Sequence, residues 1–297
     1  MTNGPSKTAI YVAFLRALAT SGITEVRDFS DPLAARLLPF PVSVVHRVLH
    51  GLARILPPFR RFVWTSTEGL VDLVALRTLA IDEAFNQAHA RGIRQLVILG
   101  AGLDARAYRW NAVDDVRVFE VDHPQTQAFK RRCIASAVRR VRSIEYVALD
   151  LTSENLGPAL ESARHTCDQP SFWIVEGVTI YLEPAESARM LTAIFHRSAR
   201  GSVLAVSYLP PQPGGLGWAK RVARSWGEPL VGLMTGDEVA AMVRGAGFEI
   251  VADSGTSDWA KRFSDRAPLR LDRFSERLIV AERRKQMSGS RLERIDA

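Results

Sequence analysis

Apolar residues recur at helical spacing through the first ninety positions and then switch to short unbroken runs. Ile10, Phe14, Leu15 and Leu18 predict a helix over residues 6–18. Asp31-Pro32 ahead of Leu-Ala-Ala-Arg-Leu-Leu reads as an N-cap, a first-turn proline and a short helix over 33–38. A further helix is expected over 42–56, stopped by Pro57-Pro58, and a longer one over 67–90, closed by Gly92.

After Gly92 the pattern alternates. Runs at 96–99, 116–121, 144–149, 171–175, 202–208, 248–252 and 277–281 read as strands. Helical segments at 124–138, 153–164, 184–198 and 237–244 separate them. Strands alternating with helices predict an α/β fold around a mostly parallel, doubly wound sheet. The expected organisation is a helical cap over 1–92, an α/β core over 93–208, a Pro/Gly-rich insert over 209–232 containing "LPPQPGGLGW", the end of the core over 233–284, and a loose tail over 285–297. The 253–272 connection is also long, and no internal repeat is visible.

Composition changes this picture little. The 297 residues are 47% hydrophobic and 24% charged, which fits a packed globular chain. The net charge is +7, but the basic residues are scattered. Their densest groups, Phe59-Arg60-Arg61-Phe62, Lys130-Arg131-Arg132 and Arg139-Arg140-Val141-Arg142, read as solvated helix faces, so no nucleic acid partner is expected, and no apolar stretch has the length of a membrane span, so no membrane partner is expected. Cys133 and Cys167 are too far apart for a zinc cluster and too few for a disulfide framework. With no leader pattern and no membrane-length apolar run, a cytoplasmic location is expected.

Chemistry enters at "LVILGAGLDARAYRW". The spacing Gly100-x-Gly102-x-x-Ala105 suits a dinucleotide turn, and Asp122, about twenty residues on, suits the ribose of a nicotinamide cofactor or of S-adenosylmethionine equally. Acids stand at or just past four strand ends: Asp104, Asp122, Asp150 and Glu176. In a doubly wound sheet those ends share one rim, where ligands bind. Asp104 inside the glycine turn would repel a pyrophosphate unless Arg106 masks it, whereas a sulfonium carrying an ammonium group would be welcome. Asp150 and Leu151 can frame an adenine, and Arg77 can meet a carboxylate unless it merely pairs with Asp72 or Asp82.

These residues resemble the leucine carboxyl methyltransferase family: "LVILGAGLDARAYRW…VFEVDHP", "YVALDL" and "FWIVEGVTIYLEP" occur in the family's order over roughly residues 9–208. The resemblance implies a Rossmann-like, seven-stranded class I methyltransferase sheet with an antiparallel last strand and an N-terminal helical cap. It implies S-adenosyl-L-methionine as cofactor. Gly100, Ala101 and Gly102 would form its turn, with Asp104, His123 and Gly177 beside the site. Asp122 would take the ribose, Asp150 and Leu151 the adenine, Glu176 the methionine amine and Arg77 its carboxylate. The Pro/Gly insert departs from the family pattern and leaves the acceptor open.

The activity expected is methyl transfer to a carboxylate of a small acidic metabolite or polyketide. A protein C-terminal carboxylate, a hydroxyl acceptor and an NAD(P)-dependent oxidoreductase are the alternatives. A carboxylate needs no general base. Arg106 or Arg36 is expected to hold it and Tyr181 to point into its pocket. His46 and His50 share a helix face but lack a third ligand, so no metal is expected. Residues 209–232 would form a lid walled by Trp218 and Trp226.

Overall fold

A computed structural model describes residues 4–111, 113–152, 155–212, 216–264 and 275–284. Helices α1 (Lys7–Thr20), α2 (Val42–Ile55), α3 (Pro57–Ser66) and α4 (Leu70–Ala90) precede the first strand, with a 3₁₀ turn at Ala34–Leu37. The alternating part follows as β1 (Gln95–Leu99), α5 (Arg106–Arg109), β2 (Val113–Asp122), α6 (Pro124–Cys133), β3 (Val141–Ala148), α7 (Leu156–Ser162) and β4 (Ser171–Val175). A 3₁₀ turn at Thr179–Tyr181 leads to α8 (Pro184–His196), β5 (Val203–Tyr208), α9 (Gly217–Ser225), α10 (Gly236–Gly245), β6 (Glu249–Gly255), α11 (Thr256–Phe263) and β7 (Arg277–Glu282).

The sheet order is β3-β2-β1-β4-β5-β7-β6. Only β7 runs antiparallel, between β5 and β6. β1 and β4 are buried along their whole lengths, which is why they read as unbroken apolar runs. Strand alternation splits the core in two. Leu96, Ile98, Val118, Phe172 and Ile174 face one layer with α1 and α4. Val97, Leu99, Phe119, Trp173 and Val175 face the other with α7, α8 and α10.

Several boundaries differ from the sequence pattern for local reasons. Pro57-Pro58 ends α2 as expected, with Leu56 as its cap, and also starts α3, a helix the pattern did not predict, at positions where proline's missing N–H costs nothing. Asp31 does not cap the turn that follows, because Leu33 occupies that place without a side-chain bond and the Asp31 carboxylate turns inward. α7 begins at Leu156, where Asn155 Oδ1 accepts the Gly157 N–H at 3.1 Å. The 209–232 insert contains α9 and is docked through its last five residues. Glu228 accepts the N–H groups of Lys7 and Thr8 at 2.9 and 3.1 Å, and the N–H groups of Val231 and Gly232 donate to Ile180 O. A Cβ at position 232 would lie 1.9 Å from Thr179 O, so glycine is required there. The lid's proposed wall Trp226 touches Tyr11 edge-on at 5.9 Å; the Trp218 side chain, like the tail 285–297, lies outside the described residues.

Candidate functional site

β3, β2, β1 and β4 are parallel neighbours, with Leu99 level with Val121 and Val175 and Asp122 level with Ala148. Their carboxyl ends therefore form one rim, and the 100–102 turn, Asp122, Asp150 and Glu176 stand along it. Gly100 sits at φ 61°, and a Cβ there would come within 2.5 Å of Val178 Cγ2, so the turn is closed to any side chain. The Ala101 N–H donates to Val121 O at 3.1 Å, tying the turn to β2.

Asp122 ends β2 and accepts two amides, Gly102 N–H at Oδ2 and His123 N–H at Oδ1, the latter at 2.6 Å. Burial pushes its pKa up, and these two bonds oppose the rise. Asp150 Oδ1 accepts the Thr152 N–H and hydroxyl at 2.9 and 2.7 Å. Leu151 packs half-buried against the second core. His123 caps α6 through Nδ1, and the Gly177 N–H donates to Ser207 Oγ at 3.0 Å.

A buried ionic cluster fills the space between this rim and the N-terminal helices. Glu176 Oε1 accepts from Arg16 Nη2 and Arg77 Nε, both at 2.9 Å, and Oε2 accepts from Arg106 Nη1 at 2.7 Å. Arg77 Nη1 also donates to both oxygens of Glu276 at 2.8 Å. Arg106 reaches Asp82 at 2.8 Å and pairs with Asp104, while Arg109 pairs with Asp82 at 2.6 Å. The Arg106 guanidinium is wholly enclosed. Burial alone would favour the neutral acids, but Arg106, Arg77 and Arg16 hold Glu176 well below the usual carboxylate range, and Arg106 and Arg16 lower Asp104. Asp31 differs: burial raises its pKa despite nearby Arg109 and Arg16.

The cluster is incompletely satisfied. Arg16 Nε, Arg106 Nη2, Arg109 Nε and both Asp31 carboxylate oxygens are buried without a hydrogen-bond partner. Each such group costs ~1–3 kcal/mol if nothing else fills its place. Each is enclosed by protein atoms, and buried polar atoms without a partner also occur away from the rim, at Trp173 Nε1, Ser187 Oγ and Arg197 Nε, so they are a cost of folding and not by themselves the mark of a ligand. Guanidiniums beside the ionised Glu176 match the charges of a ligand that carries both a carboxylate and an ammonium.

The expected residues at the strand ends share one rim, while Arg106 and Arg36 are not placed to hold an acceptor. The acidic rim is not a bare negative surface, because arginines neutralise Asp104 and Glu176. Arg77 pairs with Glu176 and Glu276 and with neither Asp72 nor Asp82. Arg106 is committed to three carboxylates and is enclosed, so it does not present an open fork to an acceptor. Arg36 lies on the surface against Ser136, away from the rim. Tyr181 is largely buried, and its phenol pKa is pushed up to about 12, first by burial. His46 is buried, 3.2 Å from Ser21 Oγ and stacked on His50, which lies one turn along on the same face. No group of three or more metal-ligating side chains occurs among the described residues.

Five participants escaped the pattern reading: Arg16, Asp31, Asp82, Arg109 and Glu276. Glu276 reaches the rim because antiparallel β7 starts where the parallel strands end. Arg16 had a signal, a lone charge inside the apolar segment "AFLRALA". A separate concavity of ≈ 510 Å³ at Arg244, Phe248, Ile250 and Arg284 lies at the amino end of β6, on the opposite rim.

Comparison with known proteins bears on the family and the fold. A family model described as leucine carboxyl methyltransferase matches residues 9–195. A provisionally named S-adenosyl-L-methionine-dependent methyltransferase of Mycolicibacterium paratuberculosis is 36% identical over 209 residues, covering 70% of this chain and 67% of that one. A protein of the same provisional name from Mycobacterium marinum is 31% identical over 262 residues, covering 87% and 84%. Among solved structures, a provisionally named methyltransferase from Thermobifida fusca superposes with a TM-score of 0.58 at 18% identity over 95% of this chain and 96% of that one. A DUF574 family protein from Streptomyces avermitilis also gives 0.58 at 18% identity, over 84% and 96%. These two likenesses show a shared fold.

Proposed function

Because the chain belongs to the leucine carboxyl methyltransferase family, we propose that it transfers a methyl group from S-adenosylmethionine to a carboxylate of a small acidic metabolite. The observation that carries this reading is the shared rim, where the 100–102 turn, Asp122, Asp150 and Glu176 follow the carboxyl ends of neighbouring parallel strands and Arg16 and Arg77 stand beside Glu176. The cofactor supplies an electrophilic methyl group on a sulfonium. Glu176 would hold the methionine ammonium, and Arg77, with Arg16 beside it, the carboxylate. Asp122 uses two acceptor positions on backbone amides, and an ionised carboxylate has about four. The remainder can accept from the ribose hydroxyls. Asp150 and Leu151 would border the adenine.

The dinucleotide alternative fits less well. Asp122 takes the Gly102 N–H that a pyrophosphate would need, and the following helix α5 is a single turn of four residues. Asp104 does not decide between the two readings, because Arg106 masks its charge.

A carboxylate acceptor is ionised at neutral pH, with a reference pKa of about 4, so no base has to be provided. The cluster contains guanidiniums and carboxylates, and Tyr181 stays a neutral hydroxyl. The protein's task is alignment and exclusion of water, worth roughly 7–11 kcal/mol when the geometry is good. Tyr181, Tyr11 and Trp226, held by the docked insert, would wall the acceptor side.

Calorimetric titration with S-adenosylhomocysteine should show saturable binding that weakens at least tenfold in Asp122→Ala, a loss of ~1.4 kcal/mol. Absence of binding to the unmodified protein removes the reading. Labelled methyl groups transferred into a cell extract should leave as volatile methanol in alkali; a base-stable label would move the acceptor to a hydroxyl.

A further inference from the structure

Helix α2 carries two apolar stripes. Val42, His46, Leu49 and Ala53 turn toward the first core. Val45, Val48, Leu52 and Ile55 recur at three- and four-residue spacing on an adjoining line that faces water. Phe40 before the helix, Leu56 after it and Phe62 on α3 extend this line. Seven of the ten exposed large apolar side chains among the described residues lie between positions 40 and 62, with Phe40 81% and Ile55 75% exposed. Single exposed apolar residues need no explanation, but a contiguous group does.

The same stretch is strongly basic. Between Asp31 and Glu68 the sequence has no acidic residue, and it has Arg36, Arg47, Arg54, Arg60 and Arg61. Arg47, Arg54, Arg60 and Arg61 are exposed beside the apolar line. A second copy of the chain on this face would set arginine against arginine across a two-fold contact. A nucleic acid would satisfy the arginines and leave the apolar line in water. An anionic bilayer satisfies both, because its headgroup boundary accepts the apolar side chains and its phosphates attract the guanidiniums.

We propose that α2 and α3 form a docking face for the surface of an anionic lipid bilayer, without spanning it. No helix among the described residues is long and apolar enough to cross a membrane. α2 packs on α1, the helix that carries Arg16 into the charged cluster, so one helical layer links the docking face to the candidate site. This inference stands on its own surface and does not depend on which acceptor is methylated.

The test is sedimentation of the full chain with phosphatidylcholine vesicles, with and without about one-third phosphatidylglycerol. The chain should partition onto the anionic vesicles, hardly at all onto phosphatidylcholine alone, and less as salt rises. Arg47→Ala with Arg54→Ala should lower partition about twentyfold, and Val48→Glu with Ile55→Glu should abolish it. Both pairs are exposed, and the thermal midpoint and far-ultraviolet dichroism should stay at the parent values. No partition onto anionic vesicles, or equal partition of the variants, overturns the proposal. So does a dimer in analytical ultracentrifugation that Val48→Glu with Ile55→Glu dissolves, or tighter association with duplex DNA that only the arginine variant weakens.

Discussion

The two faces of the sheet obey different rules. Under α7, α8 and α10, side chains such as Leu160, Trp173, Leu191, Ile194 and Val243 close an apolar layer. Opposite, under α1 and α4, the apolar layer ends at the rim in four arginines and five carboxylates, and its outermost helix shows apolar side chains to water. One face spends its residues on stability. The other buries charge and exposes apolar surface, both at a cost in folding free energy, and such departures gather where a protein binds something. Lys130 and Glu120 sharpen the contrast: they too are buried, 2.7 Å apart, but make a one-to-one pair. Glu176 instead binds three guanidiniums at once.

The largest test of this contrast is Glu176→Ala. It leaves Arg16, Arg77 and Arg106 buried around a lost partner, a change that typically costs ~3–5 kcal/mol. Denaturant unfolding should show that loss, and S-adenosylhomocysteine binding should vanish under conditions where the variant is still folded. A loss below ~1 kcal/mol would mean that water already compensates the cluster.

A somewhat smaller effect should come from the apolar face. His165 is buried there between Phe119 and Trp173, each 5.2 Å away, and its ring lies 2.9 Å from Ser171 Oγ. Burial, with help from Arg197 and Arg117, lowers its pKa from 6.5 to about 4. The folded protein therefore keeps the ring neutral while the unfolded chain protonates near pH 6.5. Stability should be full above that pH and should fall by up to ~3 kcal/mol as pH drops toward 4. His165→Gln should flatten that part of the pH profile; an unchanged slope would place its cause elsewhere.

The smallest effect concerns the helix start that holds α10 against the same face. Thr235 Oγ1 accepts the Glu238 N–H at 3.3 Å, and Glu238 answers to the Thr235 N–H at 2.7 Å. Thr235→Ala should cost ~1 kcal/mol in thermal unfolding and leave cofactor affinity unchanged. A change in affinity would join the two faces that the structure keeps apart.

Much of this architecture was legible from the chain alone. The unbroken runs of β1 and β4 announced strands buried on both sides, and parallel topology then predicted that acids at strand ends would meet. Pro57-Pro58 ended α2 where the pattern put its stop, but α3 went unforeseen because proline ends one helix and begins another by the same missing N–H. Arg106 misled because a charged residue next to a glycine turn looks available, and nothing local reveals that Asp82, Asp104 and Glu176 enclose it.

Hydrophobic spacing thus determined the seven strands, their order along the chain and most of the helices between them, since it depends on contacts within a few residues along a helix or strand, and it missed α3, α5, α9 and α11. It also placed the four acids at strand ends. Tertiary structure decided which charges are neutralised and by whom. Glu276 meets Arg77 across 199 positions because β7 runs backward, and Arg16 meets Glu176 across 160 because α1 folds over the rim. Strand direction and helix docking are set by the whole chain at once, and no short window of residues contains them.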